Sequence, residues 1–127
     1  MTATARPRHE RGVTTSVQLA IVLPLLMLLT LGIIQAGVWL HGRNVAQRAA
    51  TAAVDVARGR DGTAGEAEQR ARELAAAGGL QDVAVRVAQG PLEVSVGVSG
   101  RATLILDLGL GAIDETAAAP RERVSEP

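Results

Sequence analysis

The pattern of apolar and polar positions separates one long apolar stretch from the rest of the chain. From Val17 to Leu40 almost every residue is apolar and none carries a charge. As a helix this stretch is about 36 Å long, which is enough to cross a bilayer. A helix that is apolar on every side needs lipid or a large protein around it, and the remaining chain is too short to provide the latter. The stretch therefore predicts a single membrane span.

The apolar stretch runs into a polar segment without a helix stop. Neither Gly nor Pro occurs from residue 43 to 58. The apolar positions of this segment fall on one helical stripe: Val45, Ala49, Ala52 and Val56. We therefore predict one long N-terminal helix over about residues 16–58. A cleaved signal peptide is the alternative, with a weak site at Ile34-Gln35-Ala36, but its apolar core would be shorter, about 7–15 residues.

Residues 59–118 predict a small α+β domain. Thr63 and Glu66 have the spacing of a capping box, so a second, short helix is expected to begin there and to end at Gly78-Gly79. Valines then alternate with polar residues over 83–87 and 92–98, which is typical of a hairpin in a small antiparallel β-sheet.

The hairpin register follows from the length of its loop. A four-residue loop over 88–91 predicts Val87 opposite Leu92, with Val85 opposite Val94 and Val83 opposite Val96. The same register places Arg86 opposite Glu93.

The C-terminal segments are less regular. Residues 101–111, RATLILDLGLG, are either a short edge strand that ends near Asp107, which we favour, or an apolar turn that lies on the membrane or against the long helix. A further strand is predicted around Glu115–Ala118, and residues 119–127 are expected to be disordered.

These elements predict an α+β single-pass membrane protein. Residues 1–15 form a cytoplasmic tail in this interpretation, and the domain over 59–118 is extracytoplasmic. Three arginines precede the span, Arg6, Arg8 and Arg11, and two closely follow it, Arg43 and Arg48. That excess favours a cytoplasmic N-terminus.

Residues near the end of the span suggest contacts with lipid and with other helices. Trp39 is predicted to lie at the membrane interface, where amphipathic rings are enriched, or to pack between the helix and the soluble domain. Gly32 and Ala36 form a small-xxx-small pair that lets another helix approach, and Gln35 offers a hydrogen bond across that contact. These residues imply two kinds of partner: the lipid bilayer, and other helices in a homo- or hetero-oligomer that forms through the long helix.

Composition gives little sign of catalysis. Thirteen basic and thirteen acidic residues cancel, so no basic field favours nucleic acid. The chain has no cysteine, and its two histidines, His9 and His41, fall on opposite sides of the predicted membrane. We predict no catalytic, cofactor-binding or metal-binding residues and no enzymatic activity.

The residues of the long helix carry a family resemblance. The motifs LAIVLPLLMLLTLGIIQAG and RNVAQRAATAAVDVAR, within residues 11–58, resemble the TadE-like (TadE/TadG) proteins of the tight-adherence pilus system. The resemblance implies a pilin-like architecture and a minor pilin or pseudopilin role in pilus assembly, secretion or adhesion. It also implies pilins and inner-membrane assembly platform proteins as partners. A generic membrane-anchored binding module of the cell envelope is the alternative.

The resemblance also implies a processing site. Gly12 matches the glycine after which prepilin peptidases cut, which would leave Val13 as the first residue. The glutamate expected five residues on is replaced by Val17, and the next residue, Gln18, is uncharged. An amide supplies no ion pair in a low-dielectric membrane, so the departure fits an accessory protein that stays there. Cleavage and an intact N-terminus both remain open.

We predict that a chain beginning at Gly59 is unfolded or only marginally stable. About 69 residues with few large apolar side chains bury too little surface without the long helix as a packing partner. Circular dichroism during heating measures this, and a cooperative thermal transition would count against the required contact.

Overall fold

The structure, a computed structural model, describes residues 9–121 and divides into two compact units that meet in the chain between Ile34 and Gln35. Residues 1–8 of the predicted tail and residues 122–127 lie outside the described residues. The predicted fold class is confirmed. The elements are α1 His9–Arg58, α2 Ala64–Ala77, β1 Gln81–Gln89, β2 Glu93–Arg101 and β3 Ala112–Pro120. The division into regions at 15, 58 and 118 stays a prediction.

Helix α1 begins at His9, earlier than the predicted residue 16, and contains Pro24. In the first unit, apolar side chains from Val13 to Ile34 are largely exposed. Among the described residues α1 is the one candidate membrane span, with a mean hydropathy of 2.6 in its most apolar window and none of that window buried. This is consistent with anchoring in a membrane.

The second unit consists of two layers. The part of α1 from Gln35 onward and α2 lie on one face of a three-stranded antiparallel sheet in the order β1-β2-β3. Val94, Val96 and Val98 of the central strand are its largest fully buried side chains. The opposite face carries polar side chains, such as Arg86 and Asp114, which form an ion pair at 2.9 Å.

The buried stripe of α1 differs from the predicted one. Of the predicted residues only Ala49 is fully buried, whereas Val45, Ala52 and Val56 are half-buried at the edges. The buried residues of α1 in the core are Ala46, Ala49, Ala50, Ala53, Val54 and Ala57. The reason is steric: methyl side chains allow the helix backbone to come closest, and the larger valines flank that contact.

The predicted hairpin exists, but its register is wrong. Val87 pairs with Val96 and Arg86 with Gly97, which shifts each partner by four residues from the predicted one. Strand β1 extends two residues past its predicted end, whereas β2 begins at Glu93, one residue later than predicted. Gly90 N–H donates to the Glu93 carbonyl at 2.8 Å and closes the turn. Because the register shift is even, each valine stays on its predicted face. Glycine at position 97 leaves room for the Arg86 guanidinium, which crosses it to reach Asp114 on β3.

Residues 102–111 form a loop, so the favoured edge strand ending near Asp107 is wrong. Ala102 N–H donates to the Gly111 carbonyl at 2.9 Å and closes the base of this loop. The strand predicted around Glu115–Ala118 is confirmed as part of β3, which also includes residues 119 and 120 of the predicted disordered tail.

Helix α2 has its predicted ends. The Thr63 hydroxyl accepts the Glu66 N–H at 3.2 Å, and Gly78 follows the last helical residue. A Cβ at Gly78 would overlap Val45 of α1, because Val45 Cγ2 lies 2.7 Å and Val45 Cβ lies 3.0 Å from its ideal position. The absence of a side chain at Gly78 therefore allows the end of α2 to contact α1.

We predict that Gly78→Ala destabilises the full chain by about 1–3 kcal/mol, the usual cost of overpacking. The matched control is Gly65→Ala in the first turn of α2, where an added Cβ meets nothing within 4 Å. That control is expected to be neutral or stabilising by about 0.5–1 kcal/mol. Thermal unfolding in detergent, followed by the fluorescence of the single Trp, compares them. Equal unfolding temperatures for the two variants would contradict the close contact.

Candidate interaction surface

The predicted processing residues lie in the N-terminal part of α1. Gly12, Val13 and Gln18 are helical and exposed. The Gly12 carbonyl accepts a hydrogen bond from the Ser16 hydroxyl at 2.8 Å, an ordinary contact within a helix. The structure thus places the predicted cleavage position in regular helix, and cleavage after Gly12 stays a prediction.

The predicted helix-packing residues take different positions. Gly32 and Ala36 are exposed, and a Cβ built at Gly32 meets no atom within 4 Å. Gln35 is half-buried instead, and its Oε1 accepts the backbone N–H of Leu106 at 2.6 Å. Gln35 therefore has a partner within its own chain, in the loop over 102–111, whereas the small pair is open to a neighbouring helix.

Trp39 lies at a contact between α1 and β3. Its Nε1 donates to the Ala112 carbonyl at 3.4 Å, and the indole is half-buried. The Arg43 guanidinium carbon is 5.8 Å from the centroid of the Trp39 ring, within the range of a cation–π contact. Arg43 Nε also donates to Glu115 Oε1 at 2.6 Å. This cluster attaches β3 to α1, in line with the packing role considered for Trp39.

A polar face of α1 lies away from the buried alanines. It forms an open depression lined by Asn44, Gln47, Arg48, Thr51, Ala52 and Asp55. Five of these six residues are exposed and Ala52 is half-buried. The face has charges of both signs and several amide or hydroxyl groups, which suits a polar protein contact better than a site for one anion or cation.

The acidic and histidine side chains of the described residues are dispersed. Within residues 9–121, no group of three or more His, Asp or Glu side chains is arranged to hold a metal ion. The exposed side chains of α1 can form hydrogen bonds, pair single charges and pack apolar surfaces.

The helix that carries these surfaces also carries a family signature. Residues 14–55 match the TadE-like protein family. The match confirms the predicted resemblance and includes both the candidate span and the polar face. It ends before α2 and the sheet. TadE-like pilus components are structural or assembly proteins and are not known as enzymes. No curated protein and no solved structure significantly matches this chain.

Sequence reasoning missed the contacts that join α1 to residues far away in the sequence. Arg43 and Glu115 are 72 residues apart, and Gln35 and Leu106 are 71 residues apart. The one available signal was that polar residues such as Gln35 and Arg43 occur in or beside an apolar stretch, where a polar group needs a hydrogen-bond partner or water. That signal does not identify the partner.

We predict that the Arg43–Glu115 contact contributes about 0.5 kcal/mol, because Arg43 is largely exposed to solvent. Arg43→Ala and Glu115→Ala should each lower the unfolding temperature slightly, and the double variant should lower it by less than their sum. The matched pair Arg58→Ala and Asp55→Ala removes an exposed contact at 3.2 Å within α1 and controls for loss of surface charge. Strict additivity for Arg43 and Glu115 would show that the pair contributes nothing.

Proposed function

We propose that this protein is a minor pilin- or pseudopilin-like structural or assembly component of a tight-adherence-type pilus or secretion system. The observation that carries the proposal is the family match over 14–55, on a helix that combines a candidate span with the packing surface of a small domain. Pilin-like subunits use one long helix in the same two ways. A role in secretion or adhesion belongs to the same proposal.

The proposal includes an orientation. The N-terminus lies in the cytoplasm and the domain that begins near Gln35 faces the cell exterior. The arginine distribution supports this orientation, since three arginines precede the span and two closely follow it. Trp39 then lies near the outer interface, next to the polar end of the span.

Two surfaces of α1 are the proposed contacts with pilins and with inner-membrane platform proteins. Within the bilayer, Gly32 and Ala36 allow close approach of a second helix, either from another copy or from a different subunit. Outside it, the polar face offers Arg48 and Asp55 for complementary charges on a partner. Both surfaces are exposed in the single chain.

The residue at position 18 favours an assembly role over bulk polymerisation. Gln18 is exposed on the helix but has no charge to pair with the N-terminal amine of a neighbouring subunit. In a low-dielectric environment that missing ion pair removes a strong specific contact. A resident assembly factor or a rare filament subunit fits this chemistry.

We predict that Arg48→Glu lowers the number of surface pili several-fold in cells whose own copy has been replaced. The substitution reverses a charge at the centre of the polar face without touching the core. Arg70→Glu is the matched control, because Arg70 is an exposed arginine on the outer side of α2. Electron microscopy measures the number of pili, and immunoblots of the membrane fraction measure the level of this protein, so a loss of pili can be separated from a loss of protein.

Normal piliation in cells that lack the protein entirely would contradict the proposed function and favour a generic membrane-anchored binding module. Equal loss with both charge reversals at equal protein level would contradict the polar face as the contact. Recovery of the protein in sheared pili would identify it as a filament subunit, whereas its restriction to membranes would identify an assembly factor.

A further inference from the structure

The loop between β2 and β3, residues 102–111, exposes large apolar side chains. Ile105, Leu108 and Leu110 are 71%, 69% and 70% exposed, and Leu106 is 49% exposed. Asp107 is the one charged residue in this loop. Grouped apolar side chains of this kind normally mark an interface, because leaving them in water is unfavourable.

Contacts with α1 fix the direction in which the loop extends. At its base, Ala102 lies against Gly42, and Ala112 just after the loop accepts the Trp39 indole N–H. At its tip, Leu106 N–H donates to Gln35. From Gly42 to Gln35 the loop therefore advances about 10 Å along the helix axis, alongside the part of the apolar stretch that belongs to the second unit, residues 35–40.

Three polar contacts lie in or next to the loop tip. Gln35 accepts the Leu106 N–H, and the Asp107 carboxylate accepts the Gly109 N–H at 2.9 Å. Asp107 also pairs with Arg101. The Gly109 N–H, and after it Arg101, hold the pKa of Asp107 below its ordinary value. Irregular backbone is excluded from the hydrocarbon centre, which limits the loop to the interfacial region.

We propose that residues 104–110 form a second membrane contact, with Ile105, Leu106, Leu108 and Leu110 inserted into the lipid interface beside α1. Lipid is the favoured occupant because the loop tip lies at the level of Gln35, inside the apolar stretch that ends at Leu40. Leu40, which lies along α1 between the levels of the loop tip at Gln35 and the loop base at Gly42, is 51% exposed. Helix and loop together then hold the domain at two points on the membrane. The inference rests on α1 spanning the bilayer and is independent of a pilus role.

The absence of cysteine allows a direct test with single-cysteine variants of the full chain. Leu108→Cys carries a nitroxide label in vesicles of phosphatidylethanolamine and phosphatidylglycerol. Gln69→Cys on the exposed side of α2 is the aqueous reference, and Leu28→Cys in the span is the lipid reference. Collision rates with oxygen and with a water-soluble nickel chelate report where each label lies.

The proposal predicts an oxygen-to-nickel collision ratio at residue 108 several-fold above that at residue 69 and below that at residue 28, because a label at the lipid interface lies less deep than one at the centre of the span. Ile105→Cys should behave like Leu108→Cys, which guards against a local effect of one label. A ratio at residue 108 equal to the aqueous reference would overturn the proposal. Low collision with both reagents would overturn it too, since protein rather than lipid would then cover the loop. An aqueous Leu28 label would overturn the span itself.

Discussion

The close contact between the alanine-lined surfaces of α1 and α2 and the valine-lined face of the sheet is the interaction on which the domain depends. Eight buried alanines come from the two helices: Ala46, Ala49, Ala50, Ala53, Ala57, Ala67, Ala71 and Ala75. Each contributes little apolar area, so the core depends on many small side chains packed closely against the valines of β2. Such a core tolerates no separation of its layers, which is why Gly78 and Val45 meet without room for another carbon.

This requirement explains the dual character of α1. A small domain without aromatic core residues gains a full-length packing surface by using the continuation of its own membrane helix. Gln35, Trp39 and Arg43 then attach the loop and β3 to the same helix. These contacts all lie within the second unit, and the polar face of α1 stays exposed.

Features that depend on residues close together in the sequence could be predicted, whereas features that depend on distant residues could not. The ends of α2 depend on Thr63, Glu66 and Gly78, which are close in sequence, so they could be read from local pattern. The valine alternation likewise identified the buried face of the hairpin. It could not identify the register, because a register shifted by an even number of residues keeps the same valines on that face. In α1 the larger valines drew the prediction to the edge of the stripe, since a pattern of apolar residues does not reveal which position approaches closest. The loop at 102–111 and its hydrogen bond to Gln35 could not be predicted, because Gln35 and Leu106 are 71 residues apart and only the fold brings them together. The family match was recognisable because its residues are continuous along one helix.

The central claim is that α1 remains whole, as membrane anchor and as part of the domain core. The most direct measurement is the intact mass and N-terminal sequence of the protein recovered from native membranes. The account predicts a chain that retains the span, with either the original N-terminus or a new one at Val13. A chain that begins at Gly37 would contradict it, because the span would then be a removed signal and the domain would stand without its anchor.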